Sequence, residues 1–474
     1  MSLTNPSEVK VDSAVLGDTE SSLFRTYDIR GPAGEGGLTP KLAYAIGRAV
    51  GSEARELDQT EIIVGRDGRL SGPELTDALI DGLHDTGLDV VFIGMVPTPL
   101  LYFATNRLTS RSGVMVTASH NPAAHNGFKI VLNGKTLTTD GIEAIKQRIY
   151  EQRFQQGKGG LKEVDIIDDY MDYVTTHIKL ARPLKVVVDC GNGVAGNIVP
   201  ELYRRMGCEV IELYCEVDGR FPNHHPDPTI PENLVDIIKK VTSTKADIGL
   251  AFDGDADRLG VITNKGEIIW PDRQMMLFSV DLLSRLPGSD IIFDVKCSRN
   301  LPKIIREHGG NPVMWRTGHS VIKAKLFEMD APLAGEMSGH IFFRDEWFGF
   351  DDGIYVGARL LRILSNDSRT ISEIFTALPN SVNTPELKLP MAEESKKAFM
   401  QRLSKEGDFG DAQINTIDGM RVEFKDGWGL IRPSNTSPYL ILRFESDTEA
   451  GLERIKNLFR EQLLKLDGSL ELPF

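Results

Sequence analysis

The sequence predicts an α/β protein in which three similar domains are followed by a smaller α+β domain. The same pattern recurs three times: a β-branched run ends in a Gly- or Asp-bearing loop, and an amphipathic helix-length segment and two more strands follow. Nearly continuous apolar strands joined by helical segments indicate a largely parallel sheet covered on both faces. The C-terminal part instead has strands separated by turn signals and one long amphipathic segment, which is typical of an α+β domain.

The strand-like runs can be placed by residue. Those of the three repeats are Glu61–Gly65, Asp89–Gly94 and Gly113–Thr117; Lys185–Asp189, Glu209–Tyr214 and Asp247–Phe252; and Asp290–Asp294, Pro312–Trp315 and Ala331–Ala334. Those of the C-terminal domain are Glu386–Leu389, Gly419–Phe424, Trp428–Arg432 and Tyr439–Phe444, followed by a helix at Thr448–Leu464. We therefore expect a loose polar tail at 1–20 and domains at 21–165, 166–267, 268–380 and 381–474.

Composition excludes several classes of protein. The 474 residues include 54 Lys plus Arg against 68 Asp plus Glu, a formal charge of −14, which disfavours binding to nucleic acid or an anionic membrane. No apolar run approaches the roughly 20 residues of a membrane span, and the N-terminus lacks a secretory pattern. The four cysteines form no CxxC pair, so we expect buried thiols in a cytoplasmic protein rather than disulfides or zinc ligands.

The first repeat ends in the sequence VMVTASHNPAAHNGFK, which places Ser119 directly after an apolar strand. No GxSxG elbow is present and His120 is the next residue, so a hydrolase triad is not indicated. Small residues and Lys129 suit a phosphate site, with amide donors and a point charge. A serine turn that merely caps the next segment is the structural alternative.

The second repeat ends in IGLAFDGDADRLG, where Asp253, Asp255 and Asp257 alternate. In an extended loop this spacing points three carboxylates the same way, and their mutual repulsion favours a bound cation. Hard carboxylate oxygens favour Mg²⁺, with Ca²⁺ and Mn²⁺ as competitors. An EF-hand is excluded by Arg258 and Asn264 at its sixth and twelfth positions, and a DxDxT phosphatase loop fits poorly. A solvated acidic turn is the structural alternative.

The third repeat ends in LAGEMSGHIFF, where Glu336, Ser338 and His340 alternate between glycines. A carboxylate, a hydroxyl and an imidazole on one side of a loop can hydrogen-bond a polyhydroxyl ligand such as a sugar. Nearby segments add His319 with Lys323, and Lys296. Each histidine could equally be structural.

The C-terminal domain contains IRPSNTSPYLILRF. Arg432 precedes Ser434, Asn435 and Thr436 in a turn between two strands. Hydroxyls and successive amides beside an arginine form an anion nest suited to phosphate, although a plain hairpin turn uses the same residues.

One motif favours a different function. After the strand LKVVVD, the glycines of GNGVAG open a helix, and Glu212 follows about twenty residues later, as in a dinucleotide-binding fingerprint. The same repeat ends in the three aspartates, which would repel a pyrophosphate. The glycines are therefore better explained by a tight strand-to-helix turn.

Together the motifs TASHNP, DGDADR, GEMSGH and RPSNTSP, with FRTYDIRG near the start, resemble the α-D-phosphohexomutase superfamily, and most closely its bacterial phosphomannomutase/phosphoglucomutase type. The resemblance runs from about Leu23 to the C-terminus with the motifs in family order. It implies three similar α/β mixed-sheet domains plus a smaller C-terminal α+β domain around a central cleft. It also implies an intramolecular phosphotransferase that interconverts hexose 1-phosphate and hexose 6-phosphate.

The resemblance further implies residue roles. Ser119 would be a phosphoserine, and one Mg²⁺ would sit between its phosphate and Asp253, Asp255 and Asp257. The phosphoryl group would pass to the sugar, giving a hexose 1,6-bisphosphate that reorients and returns its other phosphate; this bisphosphate is also the expected activator. Glu336 and Ser338 would hold sugar hydroxyls. The other residues that the resemblance places near the substrate are Tyr27, Arg30, His120, Lys129, Arg258, Lys296, His319, His340, Arg432, Ser434, Asn435 and Thr436. Among these, Lys129 and His340 are the acid/base candidates, and His120 and Arg258 complete the catalytic set.

Two alternatives stay open at this point. A phosphoglucosamine mutase typically has GEQSG at the third loop, whereas this chain has Met337, which favours mannose and glucose phosphates. A sugar-phosphate-binding regulator without catalysis would be expected to lose Ser119 or a metal aspartate, and all are present. We expect a monomer or weak dimer that binds small sugar phosphates.

Overall fold

The computed structural model describes residues 17–434 and 438–474, which form two compact units. The first unit comprises the chain up to Ile268 together with Asp352–Ser368, and the second comprises Ile269–Asp351 and Arg369–Phe474. The helices are α1 Asp18–Ser21, α2 Pro40–Glu56, α3 Gly72–His84, α4 Thr98–Arg107, α5 Thr139–Tyr150, α6 Ile167–His177, α7 Val199–Arg205, α8 Val235–Thr244, α9 Pro271–Arg285, α10 Asn300–Glu307, α11 His319–Glu328, α12 Gly353–Asn366, α13 Ile371–Thr376, α14 Glu393–Glu406 and α15 Glu449–Leu466.

The strands are β1 Ile29–Pro32, β2 Glu61–Arg66, β3 Asp89–Met95, β4 Gly113–Val116, β5 His125–Leu132, β6 Lys135–Thr136, β7 Leu161–Glu163, β8 Lys185–Asp189, β9 Glu209–Leu213, β10 Ile248–Phe252, β11 Leu259–Thr263, β12 Ile268–Ile269, β13 Asp290–Asp294, β14 Asn311–Trp315, β15 Leu333–Gly335, β16 Ile341–Phe343, β17 Val382–Asn383, β18 Leu387–Pro390, β19 Gln413–Asn415, β20 Met420–Phe424, β21 Gly427–Pro433 and β22 Tyr439–Ser446. No helix among the described residues is both long enough and apolar enough to cross a membrane.

The first unit contains two mixed sheets. The seven-stranded sheet has the order β1-β5-β4-β2-β3-β7, with β6 beside β5, and the five-stranded sheet has the order β12-β11-β10-β8-β9. The central pairs β4–β2–β3 and β10–β8–β9 are parallel, whereas β5 and β11 run antiparallel to β4 and β10. Each sheet therefore places a connecting loop at the end of a central strand.

The second unit contains a four-stranded sheet and a six-stranded sheet. The four-stranded sheet repeats the mixed arrangement, with β14, β13 and β15 parallel and β16 antiparallel to β15. The six-stranded sheet has the order β17-β22-β21-β20-β19, with β18 beside β22, and its pairs are antiparallel. The three predicted repeats, the distinct C-terminal domain and the mixed sheets implied by the resemblance are thus confirmed. The strand pattern alone indicated largely parallel sheets because it did not include the antiparallel strands β5, β11 and β16.

Close helix packing covers the first sheet. A side chain at Gly47 in α2 would come within 2.3 Å of the carbonyl oxygen of Leu79 in α3, and Gly82 meets α2 in the same way. The two glycines therefore allow the backbones of α2 and α3 to touch. Ile46, Leu79 and their buried neighbours can then form one apolar core against the sheet.

Helix α12 follows the third sheet in sequence but packs in the first unit. Its first residue, Gly353, donates its amide hydrogen to the carbonyl oxygen of Ala256 (3.1 Å), and the hydroxyl of Tyr203 bonds the carbonyl oxygen of Ile354 (3.1 Å). A side chain at Gly353 would lie 2.7 Å from the carbonyl oxygen of Arg258. The helix start thus supports the loop that carries the three aspartates.

Candidate active site

Ser119 lies in the loop between β4 and β5, which we call the serine loop (residues 117–124). It has φ of 51° in the left-handed region, an unusual and strained conformation for a residue with a side chain. Its hydroxyl donates a hydrogen bond to Oδ2 of Asp253 (2.7 Å) and lies 3.1 Å from Nδ1 of His120. The serine is therefore buried and aimed at the second sheet's loop rather than turned back to cap its own segment.

Two residues that the sequence analysis did not name hold this loop. The buried guanidinium of Arg69 donates to the carbonyl oxygens of Ser119 (2.8 Å) and Asn121 (2.7 Å), as well as to those of Pro122 and His125. Asp67 bonds both Arg69 and the hydroxyl of Thr117, whose Oγ1 accepts the amide hydrogen of Ser119 (2.9 Å). Both peptide groups of Ser119 are thereby fixed. The sequence feature that could have indicated Asp67 and Arg69 is the GRDGR segment at the end of β2, the strand next to β4.

The three aspartates lie in the aspartate loop (residues 253–258) between β10 and β11, and all are fully buried. Carboxylate oxygens of Asp253, Asp255 and Asp257 lie within 4.8 Å of one another. The ammonium of Lys129 on β5 bonds Oδ2 of Asp255 (2.7 Å) and also Asp257, and Arg258 bonds Oδ2 of Asp253 (2.9 Å). The loop is thus a convergent, charge-compensated cluster and not a solvated turn.

Burial and charge pull the ionisation equilibria of this cluster in opposite directions. Burial raises the pKa of Asp253 to about 7, against the influence of Arg258. Burial also opposes the charged forms of Asp255 and Lys129, but their mutual attraction outweighs it, so the pKa of Asp255 lies below and that of Lys129 well above its ordinary value. Among the described residues, Oδ1 of Asp255 is buried without a hydrogen-bond donor. A buried acceptor amid carboxylates fits a hard divalent cation.

Arg30 on β1 also belongs to this group. Its guanidinium bonds Oδ1 of Asn121 in the serine loop (3.0 Å) and Oδ2 of Asp28 (2.5 Å). Tyr27, half-buried, precedes β1 in a bend of the same segment. The structure therefore brings together the predicted residues of the first unit around the serine and aspartate loops, with Tyr27 placed nearby in sequence.

In the second unit, the Glu336 loop (residues 336–340) connects β15 to the antiparallel β16. The buried carboxylate of Glu336 accepts hydrogen bonds from the amide of Gly318 and from the hydroxyl of Ser338, at 3.2 Å for the hydroxyl. Burial raises the pKa of Glu336 to about 7. The predicted alternation thus gives a preorganised carboxylate and hydroxyl on one turn.

The two predicted histidines stack at the same end of this sheet. The ring centroids of His319 and His340 are 5.3 Å apart, and Nδ1 of His340 lies 3.0 Å from Oδ2 of Asp351. Lys323 pairs with the other oxygen of Asp351 (2.9 Å). Burial opposes ionisation of Asp351, but Lys323 outweighs it and holds the pKa of Asp351 well below its usual value. No motif indicated this carboxylate, which also lies 3.7 Å from Nδ1 of His319.

Lys296 and Arg432 are likewise oriented by acids that the sequence analysis missed. Lys296 donates to Oε1 of Glu386 (2.6 Å), and Nε of Arg432 donates to Oδ2 of Asp418 (3.0 Å). The same oxygen of Asp418 accepts the amide hydrogen of Thr317 (2.9 Å), so Arg432 is tied to the segment that leads into α11. No spacing in the sequence links these partners.

The C-terminal turn is described only at its edges. The buried Lys396 on α14 donates to the carbonyl oxygen of Ser434 (2.7 Å), which fixes the start of the turn. Asn435 and Thr436 lie outside the described residues.

Comparison with known proteins identifies relatives that match nearly the whole chain. Four family models match in order: phosphoglucomutase/phosphomannomutase alpha/beta/alpha domain I at 21–156, domain II at 168–266, domain III at 270–382 and the C-terminal domain at 386–462. A phosphomannomutase/phosphoglucomutase of Pseudomonas aeruginosa is 56% identical over 96% of this chain and 98% of that protein. A phosphoglucomutase of Neisseria meningitidis serogroup A is 51% identical over 92% of this chain and 96% of that protein.

A solved structure agrees with the sequence relatives. The crystal structure of a phosphoglucomutase/phosphomannomutase family protein from Burkholderia thailandensis matches with a TM-score of 0.92 and 51% identity, covering 96% of this chain and 99% of that one. Each of the four predicted loop motifs falls within one of the four matched domains. The chain belongs to the phosphoglucomutase/phosphomannomutase family of the α-D-phosphohexomutase superfamily.

Proposed function

We propose that this chain is a reversible phosphomannomutase/phosphoglucomutase that interconverts hexose 1-phosphate and hexose 6-phosphate through a phosphoserine at Ser119. The observation that carries the proposal is the hydroxyl of Ser119, held 2.7 Å from Asp253 within a buried cluster of three carboxylates. Relatives of 51–56% identity that are named for this activity support it. Mannose and glucose phosphates are the substrates that those names favour.

One Mg²⁺ per chain would be held by Asp253, Asp255, Asp257 and an oxygen on Ser119. The three carboxylates offer hard oxygen ligands within 4.8 Å of one another, and Oδ1 of Asp255 is an acceptor that a cation would satisfy. When bound, the metal neutralises charge on the transferring phosphoryl group. Lys129 is the built-in cation that balances Asp255 and Asp257.

The chain's own residues then carry out the transfer. The P–O bond to Ser119 breaks as the free hydroxyl of the sugar forms a new P–O bond, and that hydroxyl's proton passes to a nearby base. His120, with Nδ1 3.1 Å from the serine oxygen, and His340 are the candidates for accepting this proton, and the charged ammonium of Lys129 is the candidate acid. Arg258 and Arg30 add positive charge. The resulting hexose 1,6-bisphosphate reorients, and its other phosphate returns to Ser119.

Residues of the second unit would bind the substrate. Glu336 would accept hydrogen bonds from sugar hydroxyls, and Ser338 would donate to them. Lys296, His319 and His340 would also contact the substrate. Arg432 and Ser434, with Asn435 and Thr436 by family resemblance, would grip the phosphate that is not reacting. We further propose that the enzyme is cytoplasmic and a monomer or weak dimer.

Phosphoglucosamine mutase is the alternative within the superfamily, and it has less support because these relatives are named for mannose and glucose phosphates. A binding protein without turnover is the alternative outside catalysis. A coupled assay on the 1-phosphates of mannose, glucose and glucosamine, with and without Mg²⁺, separates the three. We expect Mg²⁺-dependent turnover of the first two substrates at rates well above the third.

The covalent step is tested at Ser119. We expect phosphate on the peptide that contains Ser119, and at least a thousandfold loss of turnover in Ser119→Ala, about the loss expected for removing a nucleophile. Ser284→Ala, at an exposed serine of α9, is the matched control. Full turnover by Ser119→Ala in the presence of glucose 1,6-bisphosphate would overturn the mechanism.

A further inference from the structure

We propose that Cys190 and Cys215 form a modification site, in which a hydroperoxide converts the two thiols reversibly into a disulfide beside the aspartate loop. This inference goes beyond the mutase reaction, and its primary readout does not depend on activity.

The two sulfurs are already in contact. Cys190 directly follows β8 and Cys215 lies just beyond β9, its parallel neighbour, and their Sγ atoms are 3.5 Å apart. A disulfide needs about 2.05 Å, so the sulfurs must approach by roughly 1.5 Å. Neighbouring strand ends can supply this movement through side-chain rotation and a small loop shift.

The two thiols differ in solvent exposure, and this difference determines which one reacts with the oxidant first. Cys215 is partly exposed and can meet an oxidant, whereas Cys190 is fully buried, and burial raises the pKa of its thiol well above the ordinary value. Cys208 and Cys297 are buried elsewhere, before β9 and after β13. They are therefore internal controls for thiol chemistry at a site without this pairing.

The reaction balances in two steps. The sulfur of Cys215 attacks the hydroperoxide, so an S–O bond forms, the O–O bond breaks, and water or an alcohol leaves. The sulfur of Cys190 then attacks the sulfenic acid, so the S–S bond forms, the S–O bond breaks, and hydroxide leaves as water with the thiol proton. The two thiols lose two electrons in total, and the peroxide gains them. A dithiol reverses the change by exchange.

The modification is connected to the aspartate loop through the GNGVAG turn. The carbonyl oxygen of Cys190 accepts the amide hydrogen of Gly193 (2.7 Å), and the next amide, from Val194, bonds the carbonyl oxygen of Gly254 (3.2 Å). Gly254 lies between Asp253 and Asp255. A Cβ atom added at Gly193 would lie 3.0 Å from the carbonyl oxygen of Gly254, so the backbones at Gly193 and Gly254 are closely packed. We therefore expect a shift of the Cys190 backbone to displace the aspartate loop.

The test uses the full chain, reduced and then treated with stoichiometric hydrogen peroxide. We expect each chain to lose the mass of two hydrogens and to regain it with dithiothreitol. Digestion at Lys, Arg and Glu separates Cys208 from Cys215, so a crosslinked peptide identifies the pair. Cys215→Ser should abolish the link, whereas Cys208→Ser and Cys297→Ser should retain it. If peroxide converts Cys215 to sulfinic or sulfonic acid alone and no link to Cys190 forms, the proposal is overturned.

The effect of the disulfide on the aspartate loop is measured separately. We expect oxidation to weaken Mg²⁺ binding about fivefold by calorimetry, the equivalent of losing roughly one backbone hydrogen bond. Oxidised Cys215→Ser should bind Mg²⁺ like the reduced protein. Unchanged Mg²⁺ affinity in a fully disulfide-linked protein would refute the connection while leaving the disulfide itself established.

Discussion

The two units orient their polar residues in different ways. In the first unit the predicted residues contact one another: Ser119 meets Asp253, and Lys129 meets Asp255 and Asp257. In the second unit each predicted cation or imidazole contacts a carboxylate that no motif indicated. Those contacts join His340 to Asp351, Lys296 to Glu386 and Arg432 to Asp418.

This difference corresponds to different physical tasks. A buried cluster of three carboxylates is stable only if cations balance it locally, so the group that we expect to carry chemistry must be self-contained. Residues that we expect to bind a substrate must instead present hydrogen-bond donors to it, so their orientation is fixed by contacts with other protein groups. Carboxylates distant in sequence fix that orientation, since Asp351 pairs with Nδ1 of His340, Asp418 with Nε of Arg432, and Glu386 with the ammonium of Lys296.

The largest effect should follow from Asp255→Asn. The amide would present hydrogens to Lys129 and remove one negative ligand, so we expect turnover to fall by roughly 10²- to 10³-fold and Mg²⁺ affinity to fall with it. Coupled kinetics and calorimetry measure the two. Asp58→Asn, at an exposed position with a φ of 58° that Asn tolerates, is the control. Normal Mg²⁺ binding in Asp255→Asn would show that the cluster is not a metal site.

Arg69→Lys tests whether the position of Ser119 depends on Arg69, a residue that no motif indicated. Lysine cannot reach four carbonyl oxygens at once, so we expect kcat to fall about tenfold or more while KM changes little. The free energy of unfolding should fall by about 1–3 kcal/mol, because a buried carbonyl loses its donor. Thr117→Val, which removes the acceptor for the amide of Ser119, should act in the same direction. Arg66→Lys is the control, since the guanidinium of Arg66 donates to the single carbonyl oxygen of Asp67 (3.1 Å) within the part of the chain that the structure describes. A pure loss of stability with normal kcat would contradict a positioning role.

Asp418→Asn tests the opposite arrangement in the second unit. Without its charged partner the guanidinium of Arg432 is less restrained, so we expect KM for the sugar phosphate to rise about tenfold with kcat nearly unchanged. Steady-state kinetics beside the exposed control Asp411→Asn measure this. A fall in kcat without a rise in KM would assign Asp418 to the chemical step and remove the contrast between the units.

The last prediction concerns how the free energy of unfolding depends on pH. Because burial raises the pKa of Glu336 from 4.5 to about 7, the folded protein binds this proton more tightly than the unfolded chain. Stability therefore falls as pH rises between about 4.5 and 7, by at most roughly 3 kcal/mol from this group, and changes no further above that. Glu336→Gln should reduce the slope in urea unfolding measured from pH 5 to 8, and Asp253, whose pKa burial also raises to about 7, should supply the remainder. The exposed control Glu328→Gln should leave it unchanged, and an equal slope in Glu336→Gln would place the titration elsewhere.

Much of the fold could be predicted because local patterns carry it. Strands such as Lys185–Asp189 and Asp290–Asp294 were predicted with the observed bounds, since buried parallel strands are apolar and end in distinctive loops. Strands β5, β11 and β16 were not predicted. Each directly follows a motif loop, so its first residues were assigned to that loop, and the mixed character of the sheets was expected from the family resemblance alone.

The order of the domains, the four motif loops and the family could be read from the sequence, because each depends on residues close together along the chain. Other contacts depend on packing between elements: Arg69 with the serine loop, Asp418 with Arg432, and Cys190 with Cys215. Neighbouring strands bring such residues together whatever their spacing in sequence. Buried charges and strained turns must then be satisfied by whichever partner the packing supplies.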